Sequence, residues 1–346
     1  MIPRVSVLMS VYNGAAYLGR TLESLLGQTL GEIEIVVMDD GSTDGTRDLL
    51  QGFAAVDPRV RPARNSRNLG QPASLNRGLE LLRGELIARN DADDLALPER
   101  LARQAAFLDA RPEVVMVGCQ ASLIDDQERP LGAAAPYPLS DAGIRALMLA
   151  SIAFCGPAIM FRRGLVQEGG LRFDPATAYA EDYDFCSRAM AHGRLANLPQ
   201  TLLAYRVHQA SISQKNTERQ EDLAEAIAWR NIQNAGLDRL FPREDLALLR
   251  AWDVRTAGLN HDQLARQWLL MRRFLDLLQG RLRVGFLDRA IIRRRLLAKL
   301  RHSLAILPAA ARPPLLLARV SSVQRLASLA QRGAWLLNGG NGAGGG

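Results

Sequence analysis

Short apolar runs alternate with stretches of helical spacing from residue 5 to about residue 118. Val5–Val11 (VSVLMSV), Ile33–Met38 (IEIVVM), Glu85–Arg89 and Val114–Gly118 read as buried strands, and Arg59–Arg64 as a weaker one. Between them lie Tyr17–Leu26, Thr43–Phe53, a segment carrying Leu75, Leu79 and Leu82, and a segment opened by Pro98, each with apolar residues three or four apart. Strands of this kind separated by helices of ten to fifteen residues make βαβ units and a mostly parallel sheet flanked by helices. The α/β class follows. Further strands are expected at Ala158–Phe161 and Leu202–Val207, with helical spacing over Tyr179–His192. From about Thr217 the pattern is helical throughout. The chain therefore divides into an α/β domain at 1–215, a helical extension at 216–288, basic amphipathic helices at 289–337 and a flexible Gly-rich tail at 338–346.

Apolar residues make up 48% of the 346 residues and charged residues 23%, so a folded core is expected. No uncharged apolar run reaches membrane-spanning length, because Pro308, Arg312, Pro313 and Pro314 interrupt the nearest one. The start, MIPRVSVLMSVYNG, has no secretory pattern, and a cytoplasmic location is expected. Cys119, Cys155 and Cys186 are scattered and odd in number, which gives neither a disulfide framework nor a zinc site. The formal charge is +7, unevenly spread. Residues 1–216 hold 22 basic and 25 acidic side chains, residues 217–346 hold 21 and 11, and no acid follows Asp288. Such a division suits chemistry in the first part and attachment to something anionic in the second.

In parallel sheets ligands bind beyond the carboxyl ends of the strands, so the residues after each strand matter most. Those residues are Tyr12-Asn13-Gly14, Asp39-Asp40-Gly41-Ser42 and Asn90-Asp91-Ala92-Asp93-Asp94. Two carboxylates one residue apart on a strand-end turn, Asp91 and Asp93, suit a hard divalent cation that also carries phosphates; a solvated turn is the plain alternative. Asp40 suits the N–H groups of a nucleobase, or simply a tight turn. Asn68, Gly70 and Asn76 belong to a loop and helix start that would face a ribose and diphosphate, or only turn the chain. Glu181-Asp182 sits among Tyr179, Tyr183 and Phe185, where a carboxylate can serve as a base; acids at a helix start are the simpler reading.

The runs VSVLMSVYNGAAYL, VVMDDGSTDGT, NLGQPASLNRGL, ARNDADD and AEDYDF occur in this order, and Tyr205-Arg206-Val207-His208 follows. Together they resemble the family-two inverting glycosyltransferases of GT-A fold, over residues 3–214, about 60% of the chain. The resemblance implies a Rossmann-like GT-A sheet with a C-terminal α-helical extension. It implies that Ser10, Tyr12 and Asp40 line the base and ribose pocket, with Asn68, Asn76 and Asp91 completing the nucleotide-sugar site. Asp93, with Asp91 and His208, would hold Mn²⁺ or Mg²⁺. Asp182 matches the catalytic base, with Glu181 its neighbour. The partners implied are a nucleoside diphosphate sugar, UDP by family frequency, and a glycan or lipid-linked acceptor. Gln263–Trp268 resembles the Gln-x-x-Arg-Trp motif of processive synthases but has one residue too many, which favours single transfer. An inert nucleotide-sugar-binding or scaffolding protein on the same fold is the alternative. A pyrophosphorylase would need a Gly-rich, Lys/Arg-containing N-terminal loop that this sequence lacks.

In the basic region, Leu296, Leu297, Leu300, Leu304 and Leu307 fall on one side of a helix, and Arg294, Arg295, Lys299 and Arg301 on the other. Such a stripe packs on the protein or lies in an anionic membrane surface, here the inner face of the plasma membrane. Nucleic acid is not a partner, since no binding motif or stacking aromatic pattern accompanies the charge.

Overall fold

The computed structural model describes residues 2–208, 217–250 and 261–306. They form two compact units: one within Met1–Asp141 and Ser151–Ala228, the other within Ala142–Ala150 and Trp229–Gly346.

The first unit is built on β1 (Val5–Val11), β2 (Ile33–Asp39), β3 (Val60–Arg64) and β4 (Leu86–Arg89). All four run parallel in the order β3-β2-β1-β4. Every residue of β2 and β4 is buried, and all of β1 except Ser10, as expected of strands covered on both faces. The crossovers are α1 (Ala15–Leu26), α2 (Thr46–Val56) and α3 (Gln71–Leu79). Helix α1 buries Leu18, Leu22 and Leu25, a stripe at helical spacing.

Beyond β4 the sheet becomes mixed. The short β5 (Leu95–Ala96) precedes α4 (Arg100–Asp109), followed by β6 (Val114–Ile124), β7 (Pro130–Ala133), α5 (Asp141–Leu147), β8 (Met160–Arg162), α6 (Gly164–Gln167), α7 (Glu181–Ala189) and β9 (Arg194–Arg206). β8 lies antiparallel between β4 and β6, β9 runs parallel to β6, and β5 closes antiparallel on β9. The expected strands Val114–Gly118 and Leu202–Val207 thus belong to longer ones. Within these longer strands the amides of Gln120 and Asn197 serve neighbouring backbone. Gln120 donates to Tyr137 O and Leu198 O, and Asn197 to Pro138 O and Ala153 O. The donor half of each amide is satisfied in this way.

The second unit contains α9 (Arg243–Arg250), α10 (His261–Gln279) and α11 (Phe286–Ile306); α8 (Thr217–Asn234) leads into it. Leu246, Leu249, Met271, Phe274, Ile292 and Leu296 are buried there, with Phe241 edge-on to Phe274 at 5.9 Å. Residues 142–150 belong to this unit rather than to the α/β one. Asn231 donates to Met148 O, and Arg250 to Ala150 O. The run Gln263–Trp268 lies on α10, where Arg266 pairs with Asp245. Within the basic region, Ile291, Ile292 and Leu296 are buried and Arg293 is exposed. The stretch 307–337 and the tail 338–346 lie outside the described residues. No described helix is long and apolar enough to cross a membrane. The three cysteines are free and buried.

Candidate active site

Because β1, β2 and β4 are parallel, their carboxyl ends open at one rim, and the loops after them are knitted together. Asn13, held at φ 53, takes a hydrogen bond from Thr43 N on its Oδ1 and donates its own N–H to Ser42 Oγ. Asp44 accepts from Ala15 N at the start of α1. Asp40 is buried, and both its oxygens face the next loop. Oδ1 accepts from Asn65 Nδ2 and Leu69 N, each at 2.8 Å, and Oδ2 from Gly70 N at 2.9 Å. A carboxylate that gathers several N–H donors fixes the loop that carries them. Gly41, at φ 77, has no room for a Cβ against Arg67 and Asn68, so this approach requires glycine. Asn68 accepts from Gly70 N within its own turn, and Tyr12 is 49% exposed beside this loop system, after β1. Ser10 is half-buried near the end of β1.

Asn76 has another task. Its amide donates to Phe173 O at 2.7 Å and accepts from Phe173 N at 2.8 Å, tying α3 to the segment before α7. Phe173 in turn stacks on Phe185 of α7, with ring centroids 4.3 Å apart. Helix α7 therefore rests on an aromatic floor anchored to α3.

The acidic turn after β4 gathers carboxylates from distant parts of the chain. Asp93 Oδ2 lies 2.9 Å from His208 Nε2, and Nδ1 of that ring is buried without a partner. Asp91 accepts from Arg89 Nη2 at 3.1 Å, and the same nitrogen lies 3.4 Å from Glu181 Oε1. With its amide turned so that both ends are satisfied, Gln71 accepts from Arg89 Nη2 at 2.9 Å and donates to Glu181 Oε1 at 3.2 Å. Loss of water pushes the Asp91 carboxyl up; Arg89 opposes this, and the charges of Asp93 and Asp182 reinforce it. Glu181 is pushed up to about 7, first by burial, against Arg89 and with Asp182 adding to the rise. The charges of Asp93 and Asp182 thus reach Asp91, and those of Asp182 and Asp91 reach Glu181. Asp182 lies against Gly156, where an added Cβ would overlap its Oδ2.

Of the residues singled out in the sequence, Asp91, Asp93, Glu181, Asp182 and His208 lie around the acidic turn, Asp40 faces the 65–70 loop, and Asn76 bonds the Phe173 backbone. Three residues went unnoticed. Arg89 could have been found as a charge inside the apolar strand LIAR, since an arginine there needs a reason. Gly156 carries no sequence signal. Arg206, the residue before Val207-His208, is buried; it donates from Nε to Asp93 O at 2.8 Å and from its backbone N–H to Asp94 Oδ1 at 2.8 Å.

The donor set suits a divalent cation that travels with a diphosphate. One carboxylate and one imidazole meet at Asp93 and His208, the imidazole has an orphaned buried nitrogen, and like-charged carboxylates crowd beside them. Among the described residues no group of three acidic, His or Cys side chains could hold a metal alone. Mg²⁺ and Mn²⁺ sites of this kind are completed by phosphate oxygens and water.

The profile of glycosyl transferase family 2 matches residues 6–170. An uncharacterized glycosyltransferase of Haemophilus influenzae is 32% identical over 66% of this chain and 73% of its own length. The amylovoran biosynthesis glycosyltransferase AmsE of Erwinia amylovora is 34% identical over 58% and 75%. Among solved structures, S. aureus TarS 1–349 in complex with UDP-GlcNAc superposes with a TM-score of 0.55 at 18% identity, covering 96% of this chain and 92% of that one. Of a longer TarS chain, 55% is covered. The mannosyltransferase PcManGT of Pyrobaculum calidifontis, in complex with GDP-Man and Mn²⁺, gives 0.54 at 22% identity over 84% and 85%. At these identities the structures show the fold alone, a GT-A-type α/β sheet. The sequence matches show the family: the chain belongs to glycosyl transferase family 2.

Proposed function

We propose that this chain is an inverting, single-transfer glycosyltransferase that moves a sugar from a nucleoside diphosphate sugar, a UDP-sugar, to an acceptor hydroxyl in cell-surface polysaccharide or glycolipid assembly. The observation that carries the reading is that Asp93 and Asp182, far apart in the chain, both lie near enough for their charges to act on Asp91. The relative acting in amylovoran biosynthesis and the TarS complex with UDP-GlcNAc support the acceptor and donor classes.

In this reading the loop fixed by Asp40 receives the base, with Ser10, Tyr12 and Asn68 around the nucleotide. Asp91 stands beside the ribose. Asp93, His208 and Asp91 are the residues to hold Mn²⁺ or Mg²⁺, which when bound neutralises charge on the leaving diphosphate. Asp182 takes the proton from the acceptor hydroxyl. The freed oxygen attacks the anomeric carbon, the bond from that carbon to the diphosphate oxygen breaks, and its electron pair leaves with the diphosphate. Attack from the face opposite the nucleotide inverts the centre. Glu181 is a neighbour that shares the Arg89 contact rather than a second base.

A thermal-shift panel of nucleotide sugars, with and without Mn²⁺, tests the donor. Ligand at a hundredfold excess over its Kd adds about 2.7 kcal/mol, so a UDP-sugar should raise the melting temperature by roughly 5 °C or more. No shift with any nucleotide sugar overturns the proposal. Cytoplasmic residence and peripheral attachment to an anionic membrane through 289–337 belong to the same proposal, on the strength of the acid-free basic sequence after Asp288. Full-length protein should float with anionic but not neutral liposomes and be released by salt; failure to float removes the attachment.

A further inference from the structure

Three arginines are buried around the acidic rim, and they use their donors differently. Arg100 donates to Asn90 Oδ1 at 2.7 Å and Arg89 O at 2.5 Å. Arg206 donates to the carbonyls of Asp93, Asp125 and Asp126. Both fasten backbone, a structural task. Arg89 has no such bonds. Its side chain is 3% exposed, and Nη2 alone meets Asp91, Glu181 and the Gln71 amide. Nε and Nη1 are buried without a hydrogen-bond partner. The ring of Phe173, the floor of the base helix, lies 6.0 Å beneath the guanidinium.

Stability gives no reason for this arrangement. A buried charge loses several kcal/mol of hydration, and a well-packed apolar residue is often as stable or more so. A guanidinium kept for stability would satisfy its five donors. What Arg89 does uniquely is join three elements that have no other common contact of this kind. Asp91 belongs to the donor turn, Gln71 opens α3 behind the nucleotide loop, and Glu181 opens α7 next to Asp182.

We infer that Arg89 is a positioning residue that couples nucleotide binding at the donor turn to the aim of Asp182. The inference rests on the proposed donor site. Nucleotide held at Asp91 and at the loop before α3 fixes the guanidinium, and the guanidinium fixes the first turn of α7 through Glu181. The tight backbone there, with Tyr179 at φ 84 and its N–H donating to Glu181 Oε2 at 3.1 Å, transmits any shift of Glu181 to its neighbour. Small misplacements of a reacting group cost up to about 10²-fold in rate.

The test uses the full chain and its Arg89→Lys and Arg89→Met variants, with UDP and GDP as probes and Mn²⁺ present. Calorimetry reads nucleotide affinity, and hydrogen exchange reads the amides of residues 65–70 and 179–185. In the native chain nucleotide should slow exchange in both segments. In Arg89→Lys, which keeps a buried cation and the fold, affinity should stay within about threefold. Protection should then reach only residues 65–70, and kcat should fall at least about tenfold with the donor KM little changed. Arg89→Met should behave the same way, more severely. Full protection of 179–185 in nucleotide-saturated Arg89→Lys overturns the inference, as does a loss of kcat matched by an equal loss of affinity, the mark of a merely structural role. Failure of the native chain to bind either nucleotide is a separate result: it overturns the donor-site reading, and the coupling falls with it.

Discussion

Asp182→Asn is expected to fold and bind nucleotide as the native chain does, yet to lose at least about 10²-fold in turnover. The side chain keeps its shape, and its oxygen can still accept from Tyr183 N, which Oδ1 does now at 2.7 Å. What the amide cannot do is take a proton from an acceptor hydroxyl. Positioned base catalysis typically supplies 10²–10⁴ in rate, about 3–5 kcal/mol of barrier, so the loss should appear in kcat while the donor KM stays near its native value. Steady-state transfer assays with the donor found by thermal shift measure both. Native-like turnover removes Asp182 from the role. Gly156→Ala gives a second route to the same result, since its Cβ would overlap Asp182 Oδ2 and push the carboxylate from its place. That variant leaves the base chemically intact, so a large loss of kcat with normal nucleotide affinity would show that position, and not charge alone, matters.

Why some of this was legible in the sequence and some was not follows from where each residue acts. Strands β1, β2 and β4 are buried on both faces, and their continuous apolar runs mark them without help from context. The acidic residues at their ends stand out because a parallel sheet collects its ligands there. Asp93 and His208 are 115 positions apart in sequence and touch only because β9 pairs with β6 and β5 beside the acidic turn. Their partnership was available through the family resemblance, not through spacing. Asn76 misled for the opposite reason. Its place in a polar loop-helix junction suggests ligand contact, but the tertiary fold gives its amide the Phe173 backbone. The interior of the long β6 and β9 strands was hidden because the Gln120 and Asn197 amides donate to segments that sequence order does not place near them. Gly156 illustrates the limit: its role is an absence of atoms, visible only once Asp182 is set against it.

Asp93→Ala should remove metal stimulation and weaken donor binding, while leaving the fold and the affinity for nucleoside without phosphates unchanged. The side chain is 31% exposed and meets His208, so truncation opens no cavity in the core. The backbone of the turn is held independently, by Arg206 on Asp93 O and by Asp94 Oδ1 on Arg206 N. A cation held by few protein ligands draws the rest of its coordination from the diphosphate, so metal and donor affinities should fall together. His208→Ala separates metal holding from simple charge neutralisation: it deletes a ligand but leaves the carboxylates. If Asp93 and His208 share the cation, both variants should shift the Mn²⁺ dependence to higher concentration, and tightly bound Mn²⁺ should disappear in calorimetry. If instead Asp93 matters only as a negative charge beside Asp91, His208→Ala should leave the Mn²⁺ titration where it was. Native activity that persists undiminished in a strong chelator would rule out the cation altogether.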